Sequence, residues 1–494
     1  MSTRTVADRP EPTEPPPSGE TNRWLVLVIV CLAQFMVILD ATVVNVALPS
    51  IQQDLGFTAS SLQWVVNSYT LVFGGFLLLG GRAGDLVGRR KVFVAGVIVF
   101  TTASLLNGLA TSSEWLVASR GLQGLGGALV SPAALSIITT TFAEGADRTK
   151  ALGVWSAIAA GGGAFGLLLG GILTEALSWE WCFFVNVPVG IGTLALALRY
   201  VPESRAAQRQ ATADVPGAVT VTAGMIGLDY AIVKPTDYGW GSWQTIGLAA
   251  IAAALLGAFV YIESHSPAPL IRLSIFRVRS LLGANLVMLV VAGGLFAFFF
   301  FASLYLQQIL RYSPLEAGLA FLPVTVGIVV GAGLAQQLVK RIGVRMVSVL
   351  GMVTAAIGLF LLSHASVGGS YLSDVLPGLI PQSVGMGLTF VPVTLIATTN
   401  VAEEDAGLSS GLFNTSQQIG GALGLAILST FAANETTSVL ADCGQRAQAL
   451  VDGFNVAFMA AAILVAVGAL LLLFLVRKED VANVSPDAAP VPSA

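Results

Sequence analysis

Apolar runs close to the roughly 20 residues that a helix needs to cross a bilayer recur along the whole chain, each closed by a short polar break. Fourteen stretches fit, near 24–46, 60–81, 92–110, 114–139, 151–174, 182–201, 216–234, 244–263, 281–307, 315–338, 344–363, 372–398, 406–431 and 454–476. The pattern predicts an all-α polytopic membrane protein, and an even number of spans puts both termini on one side. Composition agrees. The 494 residues are 55% hydrophobic and 11% charged, with a mean hydropathy of +0.81. Soluble domains carry about 25% charged residues, and a soluble core of this size could not hide so much apolar surface. Residues 1–22, rich in Pro, Glu and Thr, are expected to be a disordered tail, not a signal peptide. Residues 479–494 read as a second tail.

Charge sets the orientation. Of the 24 Lys and Arg residues, only Lys234, Arg311 and Arg446 fall outside the alternate set of loops that begins with the N-terminus, while Arg120 lies within a span. Basic loops stay in the cytoplasm, so both termini are expected there, in a multi-pass protein of the cell membrane. The longer inner loops around 202–215 and 264–280 bracket spans seven and eight. The economical organisation is a six-helix bundle over 23–201, a two-helix insert with flanking loops over 202–280, and a second six-helix bundle over 281–478. A short basic turn containing Gly follows both span two, at Gly81–Lys91, and span ten, at Lys340–Arg345, a weak internal echo.

Asp40 sits inside the first span. A carboxylate at the bilayer centre costs about 2.5–3.5 kcal/mol on insertion scales. Two readings stand: a functional acid facing the bundle interior, or a structural Asp bonded to a neighbouring helix. Arg120, in Arg120-Gly-Leu-Gln-Gly-Leu-Gly-Gly127 of span four, is either paired within the bundle or snorkels to a polar end. Gly162, Gly166 and Gly170 make two successive Gly-x-x-x-Gly spacings, a face that any tight helix pair could use. Asn414, Gln417, Gln418 and Gly421 share a helix surface, as interhelical glue or as a polar path.

The remaining acids are few. Asp229, beside Tyr230 in the insert, is expected near the outer interface; Glu263, at the inner end of span eight, is expected to be solvated; Asp374 is expected at an interface. Spans nine to eleven hold no acid in their cores. The run Phe296–Phe301 reads first as a lipid-facing or packing surface and second, with Phe321, as the wall of an apolar cavity. Pro314, Pro323, Pro377, Pro381 and Pro392 loosen spans ten and twelve. Cys31, Cys182 and Cys443 have no metal or disulfide spacing, and there are two His. No metal or cofactor is expected, and no nucleotide-binding loop is present.

Several stretches carry a resemblance. Gly81-Arg-Ala-Gly-Asp85-Leu-Val-Gly88-Arg89-Arg90-Lys91 resembles the loop signature of the major facilitator superfamily, with Leu86 where a basic residue is usual. The Arg120 stretch resembles the family's second motif, whose Arg is linked to proton coupling. Gly153, Gly162, Gly166, Gly170 and Gly171 match the glycines of its antiporter motif, with Leu167 in place of the proline. Leu39–Pro49, Trp179–Pro188 and Gly411–Gly421 resemble signatures of its fourteen-span drug:proton antiporters, the EmrB/QacA-like branch. The similarity runs from about Trp24 to Lys478.

The resemblance implies a major facilitator fold and proton-coupled efflux of lipophilic or cationic drugs by alternating access. It implies proton coupling at Asp40 and Arg120, for which the intramembrane acid Asp229 is a further candidate partner, and an inner gate formed by Gly81, Asp85, Gly88, Arg89 and Arg90. Candidate cavity residues are Asn45, Gln123, Phe298, Phe301, Phe321, Asn414 and Gln418. The implied partners are a drug-like small molecule, protons and the bilayer, without nucleic acid, and the chain is expected to act as a monomer. The alternatives are an exporter dedicated to one endogenous secondary metabolite and, encouraged by Leu167, a nutrient importer. A membrane enzyme would need a nucleophile or metal cluster, and a sensor would need an output domain; neither is evident.

Overall fold

The structure, a computed structural model, describes residues 22–58, 60–142, 146–204, 214–233, 238–239, 241–266, 269–271, 273–398, 401, 406–443 and 445–481. Both expected tails, except for Asn22 and the first residues after Lys478, lie outside the described residues, as do Arg205, Arg209, Lys234 and Arg272. Among the described residues all regular structure is helical. Hydrocarbon offers backbone N–H and C=O groups no partner, so apolar runs satisfy their own hydrogen bonds as helices.

The helices are α1 (Arg23–Leu55), α2 (Trp64–Val87), α3 (Arg89–Gly108), α4 (Ser113–Thr141), α5 (Ala146–Ala176), α6 (Trp181–Phe184), α7 (Asn186–Tyr200), α8 (Val215–Val233), α9 (Trp243–His265), α10 (Arg279–Leu304), α11 (Pro314–Ala320), α12 (Leu322–Ile342), α13 (Val344–Leu362), α14 (Leu376–Thr398), α15 (Ala406–Cys443) and α16 (Arg446–Leu475). Twelve segments among the described residues are long and apolar enough to cross a membrane. Two more helices have the length without being in that set: α5, with 31 residues, and α15, with 38 residues. The latter is interrupted by the polar run Asn414–Gln418.

Local chemistry sets the ends. Asn22 caps α1 through Trp24 N at 3.1 Å, and Gly56, at φ 68°, closes it. The two basic turns have the same build. One glycine joins α2 to α3 (Gly88, φ 122°) and one joins α12 to α13 (Gly343, φ 81°), a backbone region that favours glycine. Span ten breaks at Phe321, where Pro323 opens α12, while Pro381 and Pro392 lie inside α14.

Contacts fall into two groups, α1–α7 and α10–α16, joined along a seam where α2 packs on α15 and α5 on α11. Small residues make the seam close. A Cβ on Gly171 would stand 2.6 Å from the Pro314 carbonyl, and one on Gly318 2.8 Å from the Leu167 carbonyl. The halves are also hydrogen-bonded at the end opposite the basic turns. There Ser303 Oγ donates to Asn45 O (2.7 Å), Gln307 Nε2 to Val46 O (2.9 Å), Gln308 Nε2 to Gln52 Oε1 (2.8 Å) and Leu315 N to Glu175 Oε2 (3.0 Å).

The insert is asymmetric. Helix α8 lies against both halves, meeting α2 so closely that a Cβ on Gly75 would overlap Thr222, and its Ile232 carbonyl accepts from Thr430 Oγ1 of α15 at 3.2 Å. Helix α9 packs on α8 and leaves most of its surface outward.

One expectation is corrected: Glu263 is not solvated. It is 3% exposed, because the chain folds back beyond α9 and Ile271 N donates to its carboxylate at 3.1 Å. Asp229, near the C-terminal end of α8, is fully buried and faces α2. The Phe296–Phe301 run is a packing surface. Phe298, Phe300 and Phe301 are buried, with Phe298 edge-on to Phe321 and Phe301 against Phe454 and Phe458.

Candidate functional site

The first group of helices encloses a buried polar cluster. Asp40 (0% exposed) and Arg120 (1% exposed) form an ion pair, Nη1 to Oδ2 at 2.5 Å. Arg120 therefore does not snorkel. Its Nε donates to Val65 O at 3.0 Å, and Nη1 also donates to Gln123 Oε1 at 2.6 Å. The guanidinium lies 4.4 Å from the Tyr69 ring centroid and 5.6 Å from that of Phe183, a favourable placement for a desolvated cation.

The second carboxylate oxygen is equally occupied. Asp40 Oδ1 accepts from Gln123 Nε2 at 2.7 Å and from Asn186 Nδ2 at 2.9 Å. Both amides also reach Ser104 Oγ, at 3.2 and 3.1 Å, and Ser104 donates to Phe183 O at 2.9 Å. Asn107 Nδ2 donates to Gln123 Oε1 at 2.5 Å. A buried charge survives only when paired and fully hydrogen-bonded, and this cluster supplies both.

Backbone approach makes the geometry possible. Arg120 and Gln123 lie three residues apart on one face of α4. The glycines that follow let α4 sink between α2 and α3: a Cβ on Gly124 would lie 2.3 Å from Tyr69 O, and one on Gly126 2.5 Å from Phe100 N. On the other flank, α1 lies against α5. A Cβ on Gly162 would meet Ile38, one on Gly166 would meet Thr42, and one on Gly170 would come 2.6 Å from Val43 O. Gly171 faces α11 instead, and Gly153 has nothing within 4 Å. The five glycines of the motif thus do three different things.

The other candidates separate from this cluster. Asp229 accepts from Asn67 of α2 and makes no contact with Asp40 or Arg120. Phe298, Phe301 and Phe321 border no open cavity in this conformation, since all are buried in the core of the second group. Gln123 belongs to the Asp40 cluster. Asn45 turns its side chain back to Ala41 O and Thr42 O, both at 3.3 Å. Asn414 is buried and Gln418 half-buried, with Gln418 Cβ where a Cβ on Gly74 would be.

At the basic turn, Gly88 leaves no room for a side chain beside the Glu203 carboxylate. Arg89 N donates to Ser204 O at 3.0 Å. Arg90 N donates to Glu203 Oε1 at 3.3 Å and its guanidinium to Leu198 O. Gly81 faces Pro132. The Asp85 side chain lies outside the described residues.

Sequence reasoning missed Asn186, Ser104, Asn107 and Tyr69 as members of the cluster. Asn186 stands in the quoted stretch Trp179–Pro188. Ser104 and Asn107 share the i, i+3 spacing of a polar pair on an otherwise apolar helix, which is the signal that could have found them.

The Major Facilitator Superfamily model matches residues 30–425. The puromycin resistance protein pur8 of Streptomyces alboniger is 42% identical over 92% of this chain and 90% of its own. The cephamycin export protein CmcT of Amycolatopsis lactamdurans is 41% identical over 89% and 91%. The tetracenomycin C resistance and export protein of Streptomyces glaucescens is 34% identical over 90% and 82%. The fold is shared with an inward-facing bacterial homologue of the lysosomal transporter Spinster, at a TM-score of 0.65, 18% identity and coverage of 94% and 98%. It is shared too with the nucleoside transporter NupG, at a TM-score of 0.66, 12% identity and coverage of 92% and 100%. With that family match, those antibiotic resistance and export relatives and that architecture, the chain belongs to the Major Facilitator Superfamily of multi-pass membrane transporters.

Proposed function

We propose that this transporter exports small lipophilic or cationic antibiotic-like molecules across the cytoplasmic membrane in exchange for protons, as a fourteen-span member of the EmrB/QacA-like branch. The observation that carries the reading is the Asp40–Arg120 pair, a charge that burial makes expensive and that four helices are built to hold. A proton on Asp40 Oδ2 removes the attraction to the guanidinium and leaves only neutral hydrogen bonds to the carboxyl group. Arg120 is then held by Val65 O, Gln123 and the Tyr69 face, and α1 loses its ionic tie to α4, keeping only the Gln123 amide. Because α1 also offers the Asn45 and Val46 carbonyls to α10, its movement reaches the contacts between the halves. Proton loss reverses the change, and a cationic substrate can compete for the carboxylate.

Positive-inside charge supports a cytoplasmic location for the basic turns and both termini, with α5 and α15 as the two further spans. The hydrogen-bonded end then faces outward, closed. The contacts of Arg89 and Arg90 with residues 198–204 support a gating role for the Gly81–Arg90 turn and Asp85. The names of the relatives, each tied to one antibiotic or class, favour a second reading, an exporter dedicated to one endogenous metabolite.

The test is growth inhibition of a pump-deficient bacterial host by puromycin, a cephamycin and ethidium, paired with collapse of the pH gradient in everted vesicles on addition of each compound. Wild type is expected to raise tolerance and collapse the gradient, and Asp40→Asn to do neither. Full tolerance and full collapse by Asp40→Asn would refute the role of Asp40. Tolerance confined to one compound selects the dedicated exporter.

A further inference from the structure

Asp229 is a second buried carboxyl group, without a charged partner among the described residues, and its place differs from that of Asp40. It is fully buried. Its two oxygens lie 3.2 and 3.4 Å from Asn67 Nδ2, which also donates to Ala422 O of α15 at 3.2 Å. One carboxamide therefore joins the first half, the insert and the second half. The neighbouring contacts tie the same three helices: Tyr230 on Trp64, with ring centroids 5.8 Å apart, Thr222 on Gly75, and Thr430 on Ile232 O.

Among the described residues no charged group faces Asp229 from the elements packed on it. The titratable residues of α2 beyond the contact are Tyr69, which stacks on Phe73 and Arg120, and Arg82 and Asp85 near its far end. Those of α15 are Glu435 and Asp442, past Thr430. Those of α9 are Tyr261, Glu263 and His265, in its last two turns. On α8 itself the only other one among the described residues is Tyr230, and Lys234 lies outside them. A carboxylate with one amide donor and no cation is not a stable occupant of such a site; a neutral acid is, provided its hydroxyl finds an acceptor. Asn67 Oδ1, on the carboxamide that touches Asp229, is buried and without a hydrogen-bond partner.

We infer that Asp229 is a second proton-binding site, through which the two-helix insert reports protonation to the seam between the halves. Protonated, Asp229 lets α8 lie closed against α2 and α15. When the proton passes to water, the uncompensated charge draws water in and loosens that three-way contact. No other bond changes. The insert is thereby part of the coupling device. The inference rests on the proton-exchange reading above but does not need Asp40.

The experiment uses the full-length protein in lipid nanodiscs, with nitroxide labels replacing the exposed Leu177 and Leu372 on opposite halves. The distance distribution is followed against pH in wild type, Asp40→Asn, Asp229→Asn, Asp229→Glu and Lys234→Gln. By linkage, steepness reads the protons exchanged. Wild type is expected to exchange about two per transition, Asp229→Asn about one, and Asp229→Glu about two again. Unchanged steepness in Asp229→Asn, a wild type without pH response, or loss of the same step in Lys234→Gln, which would make Asp229 half of an ion pair, each overturns the inference. A flattened response in Asp229→Asn beside an unaltered Asp40→Asn would sustain it and remove the Asp40 mechanism instead.

Discussion

Removing the Asp40–Arg120 pair from both sides should be far milder than removing either side alone. Arg120→Met keeps the length of the side chain but strips the cluster of its cation. Asp40 is left with two amide donors, from Gln123 and Asn186, and no countercharge. Breaking one side of a buried pair costs about 3–5 kcal/mol. The stacking of Arg120 on Tyr69 at 4.4 Å adds up to about 2 kcal/mol for a desolvated cation. Asp40→Asn falls in the same 3–5 kcal/mol range, about, since it leaves a guanidinium buried among rings and amides. In the double variant no charge remains to be solvated, and it should lie within about 2 kcal/mol of wild type. The coupling energy from the four proteins should thus exceed about 3 kcal/mol, above the 0.5–3 kcal/mol usual for contacting residues. The assay is reversible unfolding of each full-length variant in mixed detergent micelles, followed by tryptophan fluorescence, with efflux measured in parallel. The double variant should fold and fail to export with protons, separating stability from coupling. If the two single losses simply add, the carboxylate and guanidinium are not an energetic unit and the site has been misread.

Three smaller perturbations test the surroundings. Asn186→Leu removes one donor from Asp40 Oδ1 and should cost about 1–3 kcal/mol, read in the same unfolding assay, with a matching loss of efflux. Gly170→Ala drives a methyl group against Val43 O and should cost about 1–3 kcal/mol. Gly153→Ala meets nothing and should be neutral or gain up to about 1 kcal/mol of helix propensity, although both belong to one motif. Gln307→Ala deletes a hydrogen bond between the halves; thiol labelling of Gln52→Cys, compared with and without that change, should report more frequent opening, by about 0.5–1.5 kcal/mol.

The helices were legible because each is a local property. Runs such as Trp24–Val46 announce their own length, and the one-glycine turns at Gly88 and Gly343 were visible as an echo. Asp40 and Arg120 were each legible as costly charges. Their pairing was not, because it depends on how spans one and four cross. Asn186, Ser104 and Asn107 were hidden for the same reason: a single amide or hydroxyl in an apolar helix is unremarkable until three helices bring several together. The burial of Glu263 comes from a reversal of the chain after α9 that no periodicity encodes. The aromatic run could not be divided between packing and lipid beforehand, because what covers each face of a helix depends on which helices cross it; here the whole run packs in one core.

The polar part of the closure between the halves is small in energetic scale. Among the described residues four hydrogen bonds span the end opposite the basic turns, from Ser303, Gln307, Gln308 and Leu315. At about 0.5–1.5 kcal/mol each, they add about 2–6 kcal/mol to the packing of the seam. One elementary charge crossing a membrane at 100 mV releases about 2.3 kcal/mol. On the proton-exchange reading proposed above, this part of the gate and its driving force are of one magnitude. A much stronger seal would stall the cycle with the door shut, and a much weaker one would leave it ajar between turnovers.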